Sequence, residues 1–162
     1  MNEAYKPLPA AEELWSRYWY KPLTGELIRK STCRAVGTKN RNGYLVVGQD
    51  KRKVYMAHRL IWKWVTGKEP KNQIDHRNGD KADNRLVNLR EATPDQNSAN
   101  QKLGKRNTSG LKGVRKRGSR WDAQLSCKGV KFYLGSYATP EEAHQAYCRA
   151  AADLHGDFAR VR

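Results

Sequence analysis

At 162 residues and 18.6 kDa the chain has room for one ordinary domain or two small ones, and neither half can bury a large core. Its 32 Lys and Arg against 16 Asp and Glu leave a formal charge of +16 and a pI near 10.0. That excess points to a polyanionic partner, nucleic acid first, over a merely soluble basic protein or a ribosomal-type binder. With 38% hydrophobic residues, 5 Trp and 8 Tyr, the composition excludes a disordered tail, although a mean hydropathy of −0.94 requires a very polar surface.

The opening MNEAYKPLPAAEELW lacks the basic n-region and apolar h-region of a signal peptide. No stretch approaches the ~20 apolar residues of a membrane span, so the expected location is cytoplasmic, with no membrane partner. In RYWYKPLTGELIRK, Pro22, Thr24 and Gly25 mark a turn between two short extended runs. A second hairpin is expected in GYLVVGQDKRKVYMAH, where β-branched and aromatic residues flank a polar centre. Leu60, Ile61, Trp64 and Val65 then recur at helical spacing and stop before Gly67 and Pro70, which predicts a short amphipathic helix. Cys33, Cys127 and Cys148 form no C-x-x-C pair, so neither a disulfide framework nor a zinc ribbon is expected.

The stretch IDHRNGDKADNRLVNLR, residues 74–90, reads as two short strands around a polar loop. A helix start follows, with Thr93 as N-cap, Pro94 at the first helical position and Gln96 completing a capping box. Asp75, His76, Asn88 and Asn97 can converge if that helix packs on the two strands. Phosphodiester hydrolysis needs a base for water, a cation on the scissile phosphate, and a group that holds the base. His76 suits the first because imidazole titrates near neutrality. Asp75 and Asn97 offer oxygen ligands for the second, and the Asn88 amide can hold the imidazole in one tautomer. Singly, each has a bland explanation as a turn, strand or helix residue; together and in order they favour the nuclease. The loop is no EF-hand: counted from Asp75, its third position is Arg77 and its twelfth Leu86. Oxygen-type ligands without Cys favour Mg²⁺ or Mn²⁺ over Zn²⁺. Arg77, Lys81 and Arg85 suit contacts to DNA phosphates.

This constellation resembles the HNH homing endonucleases of phage genomes, nucleases of the ββα-metal type, in the group where Asp and Asn replace zincophilic histidines. The resemblance runs through TGELIRK, GYLVV and AHRLIWKWVTGKEP to IDHRNGDKADNRLVNLREATPDQNSANQ, about residues 15–102. It implies His76 as general base, Asp75 and Asn97 as metal ligands, and Asn88 as the residue that orients His76 and braces the loop. His58 and Arg59, in the recurrent AHR, then support the fold or contact phosphate. Gln101, one turn beyond Asn97, is a further candidate for the metal or its waters.

Beyond a Gly-, Ser- and Lys-rich linker at 103–110, three short strands broken at Gly118-Ser119 and Lys128-Gly129 precede a helix capped by Thr139 and ended by Gly156. GVRKR, RWDAQL, KFYLGSYATPEEAHQAYCRAA and LHGDFARV resemble the plant APETALA2/ethylene-response DNA-binding domain. That resemblance implies a three-stranded sheet in the DNA major groove, contacted through Arg115, Arg117, Trp121, Lys131 and Tyr133, with Gln124 and Ser126 beside them. Strand alternation is expected to place Arg115 with Arg117 and Lys131 with Tyr133 on one exposed face, with Trp121 either joining it or packing in the core. Gln124 and Ser126 stand where the plant pattern has Glu and Arg, and Tyr133 where it has Trp, so the resemblance does not carry over a target sequence.

The expected fold is α+β. N-terminal hairpins and a short helix lead into a ββα-metal core at about 73–102, making an HNH nuclease domain of 1–102. A linker at 103–110 then precedes a three-stranded antiparallel sheet packed on one helix over 111–162. The expected function is metal-dependent cleavage or nicking of double-stranded DNA by a monomer or weak homodimer, without a small-molecule substrate, in a bacterial host if phage-encoded. The alternatives are a non-catalytic sequence-specific DNA-binding regulator and an RNA binder.

Overall fold

The computed structural model describes residues 7–50, 53–104 and 107–161. Among them the fold is α+β, with four α-helices and four small antiparallel sheets. No helix among the described residues is long and apolar enough to cross a membrane. The chain divides into two compact units between Ala92 and Thr93.

The first unit begins with α1 (Ala11–Arg17), which sequence reasoning leaves unassigned. Glu12 and Glu13 suit its positive N-terminal turn, Arg17 pairs with Glu13 at 3.1 Å, and Leu14 is fully buried. Strands β1 (Tyr18–Lys21), β2 (Glu26–Arg29) and β3 (Arg34–Val36) form a sheet in that order. Strict alternation in β1 sends Tyr18 and Tyr20 inward and leaves Trp19 and Lys21 exposed. A second sheet joins β4 (Thr38–Lys39), β5 (Leu45–Asp50) and β6 (Lys53–Met56). The tip of that expected hairpin, Lys51 and Arg52, lies outside the described residues. Helix α2 (Ala57–Thr66) follows and stops at Gly67, whose left-handed φ of 71° lets its N–H close on the Lys63 carbonyl. The hairpin β7 (Gln73–His76) and β8 (Leu89–Ala92) completes the unit. Leu14, Tyr18, Val47, Leu60 and Ile61 form the centre of its core, and Ile74 and Leu89 seat the hairpin on it.

The β1–β2 turn also holds the loop between β7 and β8. Tyr20 donates its hydroxyl to the Asn84 carbonyl at 3.2 Å and accepts from the Leu86 N–H at 2.8 Å. Gly25, at φ +75°, lets the two backbones meet, since a Cβ there would lie 2.5 Å from Arg85 N and 2.6 Å from the Asn84 carbonyl carbon.

The second unit starts with α3 (Pro94–Ala99), which carries the complete Thr93–Gln96 capping box. It is shorter than the sequence suggests: Asn100 caps it, so Gln101 falls beyond its end. Lys112 donates from Nζ to the carbonyls of Ala99 and Gln101 at 2.7 and 2.8 Å. Of the expected linker, Lys105 and Arg106 lie outside the described residues, whereas Asn107, Ser109 and Gly110 form a turn braced by their own side chains. Strands β9 (Val114–Arg117), β10 (Arg120–Cys127) and β11 (Val130–Tyr137) make an antiparallel sheet with β10 in the middle, backed by α4 (Pro140–His155). Ala123, Ala143 and Ala146 pack with Val114; such small side chains let helix and sheet lie close.

A Gly25→Ala substitution is expected to cost at least about 2 kcal/mol, from positive-φ strain plus overlap with backbone. Urea denaturation at pH 7 would check it, with a variant as stable as wild type contradicting the contact.

Candidate active site

The β7–β8 register sets Asp75 opposite Arg90 and His76 opposite Leu89. The loop between the strands ends in a 3-10 turn, Leu86–Asn88, so Asn88 precedes β8 instead of lying in it. Its amide ties the loop together: Oδ1 accepts from the Asn78 N–H at 2.9 Å, and Nδ2 donates to the Asp83 carbonyl at 2.8 Å. Its own carbonyl accepts from the Arg77 N–H at 2.8 Å. Arg85 grips the Asp83 carboxylate at 2.8 and 2.6 Å, and those hydrogen bonds hold that carboxyl down to about 2.

His76 is buried, and its Nε2 lies 3.0 Å from Asn84 Oδ1. The hydrogen bond that sequence reasoning expects from Asn88 is thus made by Asn84, because the Asn88 amide is occupied at the loop ends. Asn84 is 1% exposed, although a polar residue in a turn-rich loop reads as solvated; only its burial marks it. With the amide oxygen toward the ring, Nε2 is the nitrogen that carries the proton.

Asp75 is buried beside Arg90, whose Nε and Nη2 both reach Oδ2 at 2.9 Å. Sequence reasoning misses Arg90, a residue that directly faces Asp75 across the hairpin. Such a pair holds the carboxylate in one orientation, and loss of one partner leaves a buried charge at a cost of about 3–5 kcal/mol.

His58 on α2 is also buried, its Nδ1 without a hydrogen-bond partner among the described residues. Its ring meets the His76 ring edge-on, with centroids 5.1 Å apart and planes at 84°. Tyr44 touches both rings at 5.5 and 5.9 Å, and Lys81 Nζ sits 4.7 Å from the Tyr44 centroid. Burial, then the charges of His76 and Arg59, push the His58 imidazole down to about 3. Of the basic residues expected near phosphate, Arg59 pairs with Glu69 at 3.2 Å, Lys81 donates to the Asn42 carbonyl at 3.1 Å, Arg85 is held by Asp83, and Arg77 is exposed.

Asn97 stands on α3, in the second unit. Among the described residues no group of three or more His, Cys, Asp or Glu side chains converges as a metal site. Asp75 offers carboxylate oxygens and Asn97 an amide oxygen, each a donor type that suits a hard divalent ion.

On the C-terminal sheet, Gln124 pairs with Tyr133, Ser126 with Lys131 and Asp122 with Arg115, and alternation puts all of these with Arg117 on the face away from α4. Trp121 does not share that face. It pairs with Lys116 and Tyr137 and packs against the Val114–Ala123 core, because it is one residue out of phase with Asp122. Asp122 is an acidic residue within a basic face, its Oδ2 3.7 Å from Arg117 and its Oδ1 buried without a hydrogen-bond partner.

The hairpin thus ends on a buried histidine whose ring nitrogen lies 3.0 Å from a buried asparagine amide. Residues 55–99 match the family model described as HNH endonuclease. Protein 3.8 of Escherichia phage T7 is 38% identical over 108 residues, 65% of this chain and 88% of that protein. An uncharacterized HNH endonuclease, L560, of Acanthamoeba polyphaga mimivirus is 37% identical over 105 residues, 63% of this chain and 54% of that protein. The ethylene-responsive transcription factor ERN3 of Medicago truncatula is 39% identical over 69 residues, 41% of this chain and 29% of that protein. Residues 55–99 thus carry an HNH endonuclease domain, and the chain as a whole is related to Protein 3.8.

A histidine held near 3 in the folded state and near 6.5 unfolded binds its proton only in the unfolded chain between those values. Stability therefore falls as pH drops from about 6.5 toward 3, and this contribution vanishes above 6.5. Denaturant midpoints at pH 7, 5.5 and 4.5 should decline in wild type and decline less in His58→Phe; parallel curves would contradict a neutral His58.

Proposed function

We propose that the protein is a divalent-metal-dependent endonuclease of the homing type that hydrolyses phosphodiester bonds in double-stranded DNA, with His76 as general base. The observation that carries this reading is the His76–Asn84 hydrogen bond. It keeps the proton on Nε2, so Nδ1 is the atom that takes a proton from the attacking water. The imidazolium that results still donates from Nε2 to Asn84, so the base need not reorient during the reaction. Asn88 keeps the loop, and with it Asn84, in place. Asp75, oriented by Arg90, and Asn97 would hold Mg²⁺ or Mn²⁺. Such an ion, when bound, stabilises charge on the scissile phosphate and the leaving 3′ oxygen. Arg77 and Lys81 are placed to meet flanking phosphates. One site per chain nicks one strand, and a double-strand break requires a second copy or a second event.

The C-terminal sheet is the DNA anchor in this proposal. Its exposed Arg115, Arg117, Lys131 and Tyr133 supply phosphate and base contacts, and Gln124 is suited to adenine. Its likeness to part of a plant transcription factor supports the assignment.

Supercoiled plasmid incubated with protein and Mg²⁺ or Mn²⁺ should be nicked, and EDTA should abolish nicking. His76→Ala should lower the rate about 10²–10⁴-fold, the usual share of a general base. Asn84→Ala should lower it about 10–100-fold with DNA affinity retained. Plasmid that is retarded on a gel but never cut, by wild type and His76→Ala alike, would establish a binding protein instead.

The double substitution Arg115→Ala with Arg117→Ala should weaken duplex binding and reduce the slope of log affinity against log salt by about 2. An unchanged slope would reject the anchoring role of this face.

A further inference from the structure

Leu23 and Val87 are 90% and 81% exposed, the two highest values for large hydrophobic side chains among the described residues. A single exposed aliphatic residue is ordinary on a protein surface. These two are not scattered. Leu23 stands in the turn between β1 and β2, and Val87 in the 3-10 turn that ends the β7–β8 loop. The same turns are pressed together at Gly25, where a Cβ would lie 2.5 Å from Arg85 N, and the Tyr20 hydroxyl joins them by accepting from the Leu86 N–H at 2.8 Å. Leu23 is two residues from Gly25, and Val87 two from Arg85. Both side chains therefore leave one rigid junction, beside the loop that carries Asn84 against His76.

A stable protein interface buries about 1,200–2,000 Å², and two aliphatic side chains on tight turns supply a small part of that. The charge around them favours a different occupant. The sheet behind Leu23 carries Lys21, Arg29, Lys30 and Arg34 against Glu26, and the loop behind Val87 carries Arg77, Lys81 and Arg85 against Asp80 and Asp83. That excess of cations is complementary to a polyanion. On duplex DNA, apolar side chains find their largest apolar surface between stacked base pairs. A tight turn is slim enough for the minor groove, about 6 Å wide, and apolar side chains that enter there unstack a base step.

We propose that Leu23 and Val87 form an apolar wedge that opens a base step of double-stranded DNA from the minor groove, next to the phosphate presented to His76. This rests on the reading of the protein as a nuclease of duplex DNA. A step opened in this way unwinds and bends toward the major groove, which redirects the backbone at the phosphate to be cut. The basic residues around the junction hold the strands on either side of the step.

The test mixes full-length protein with relaxed closed-circular plasmid and a metal-independent topoisomerase in EDTA, so that unwinding is read as a change in linking number without cutting or a known target. At concentrations that saturate binding, wild type should leave the recovered plasmid negatively supercoiled. The pair Leu23→Ala with Val87→Ala should reduce the linking change by about half or more. With Mn²⁺ the same pair should nick about 10–100-fold more slowly, as expected when the reacting phosphate is misplaced. Leu23→Lys adds attraction to phosphate and removes the wedge, so it should bind as tightly as wild type and unwind less. Leu23→Met keeps a long apolar side chain and should unwind like wild type. Urea midpoints of all variants should match wild type, because positions this exposed add little to stability.

Four results would overturn the proposal: wild type that binds plasmid without changing its linking number; the Ala pair unwinding and nicking like wild type; Leu23→Lys unwinding like wild type; or a wild-type dimer in sedimentation that the Ala pair makes monomeric, which assigns the two side chains to a second copy of the chain. Wild type that unwinds plasmid in EDTA but never nicks it with Mg²⁺ or Mn²⁺ removes the nuclease reading and supports the wedge. Nicking without unwinding does the reverse.

Discussion

The contact on which the β7–β8 loop depends is the hydrogen bond between His76 Nε2 and Asn84 Oδ1, which joins two buried side chains at 3.0 Å. Everything around the β7–β8 loop maintains it. Asn84 sits inside the loop, Asn88 closes the loop across Asn78 and Asp83, and Tyr20 reaches in from β1 to hold the backbone on both sides of Arg85. Gly25 is where the first sheet comes close enough for that reach, which couples a residue early in the chain to the placement of Asn84 and His76. The polar loop is therefore ordered by hydrogen bonds, without an apolar core of its own.

Charge is handled in two ways. Around the hairpin it is compensated inside the protein: Asp75 by Arg90, Asp83 by Arg85, and Glu69 by Arg59 and Lys63. The buried Asp75–Arg90 pair adds little net stability, because desolvation offsets most of the attraction, but it fixes the direction of the carboxylate. On the C-terminal sheet, by contrast, Arg115, Lys131 and most of Arg117 face solvent. The same +16 charge thus serves internal geometry in one unit and an open surface in the other.

Much of the local architecture was legible in the sequence. The capping box at Thr93–Gln96, the Thr139 cap of α4, the Gly67 stop of α2 and the first hairpin all appear as expected. The likeness to HNH endonucleases was legible too, because Asp75, His76, Asn88 and Asn97 recur in order and the family match spans that stretch. Asn84 was not, since a buried amide and a solvated turn residue look alike until packing separates them. The sequence left Trp121 open between the exposed face and the core, because side-chain facing changes with a single-residue shift in register, and the structure packs it on the Val114–Ala123 core.

The sequence by itself therefore determined what depends on neighbours within a few residues: helix caps, turns, strand periodicity, net charge, and the identity of the histidine and its acidic neighbour. Only the tertiary structure decided which asparagine holds that histidine, which arginine answers Asp75, and that His58 and Tyr44 close against its ring. Those pairings join residues from separate elements, and they arise when burial removes water as the competing partner, a condition that no local pattern of residues records.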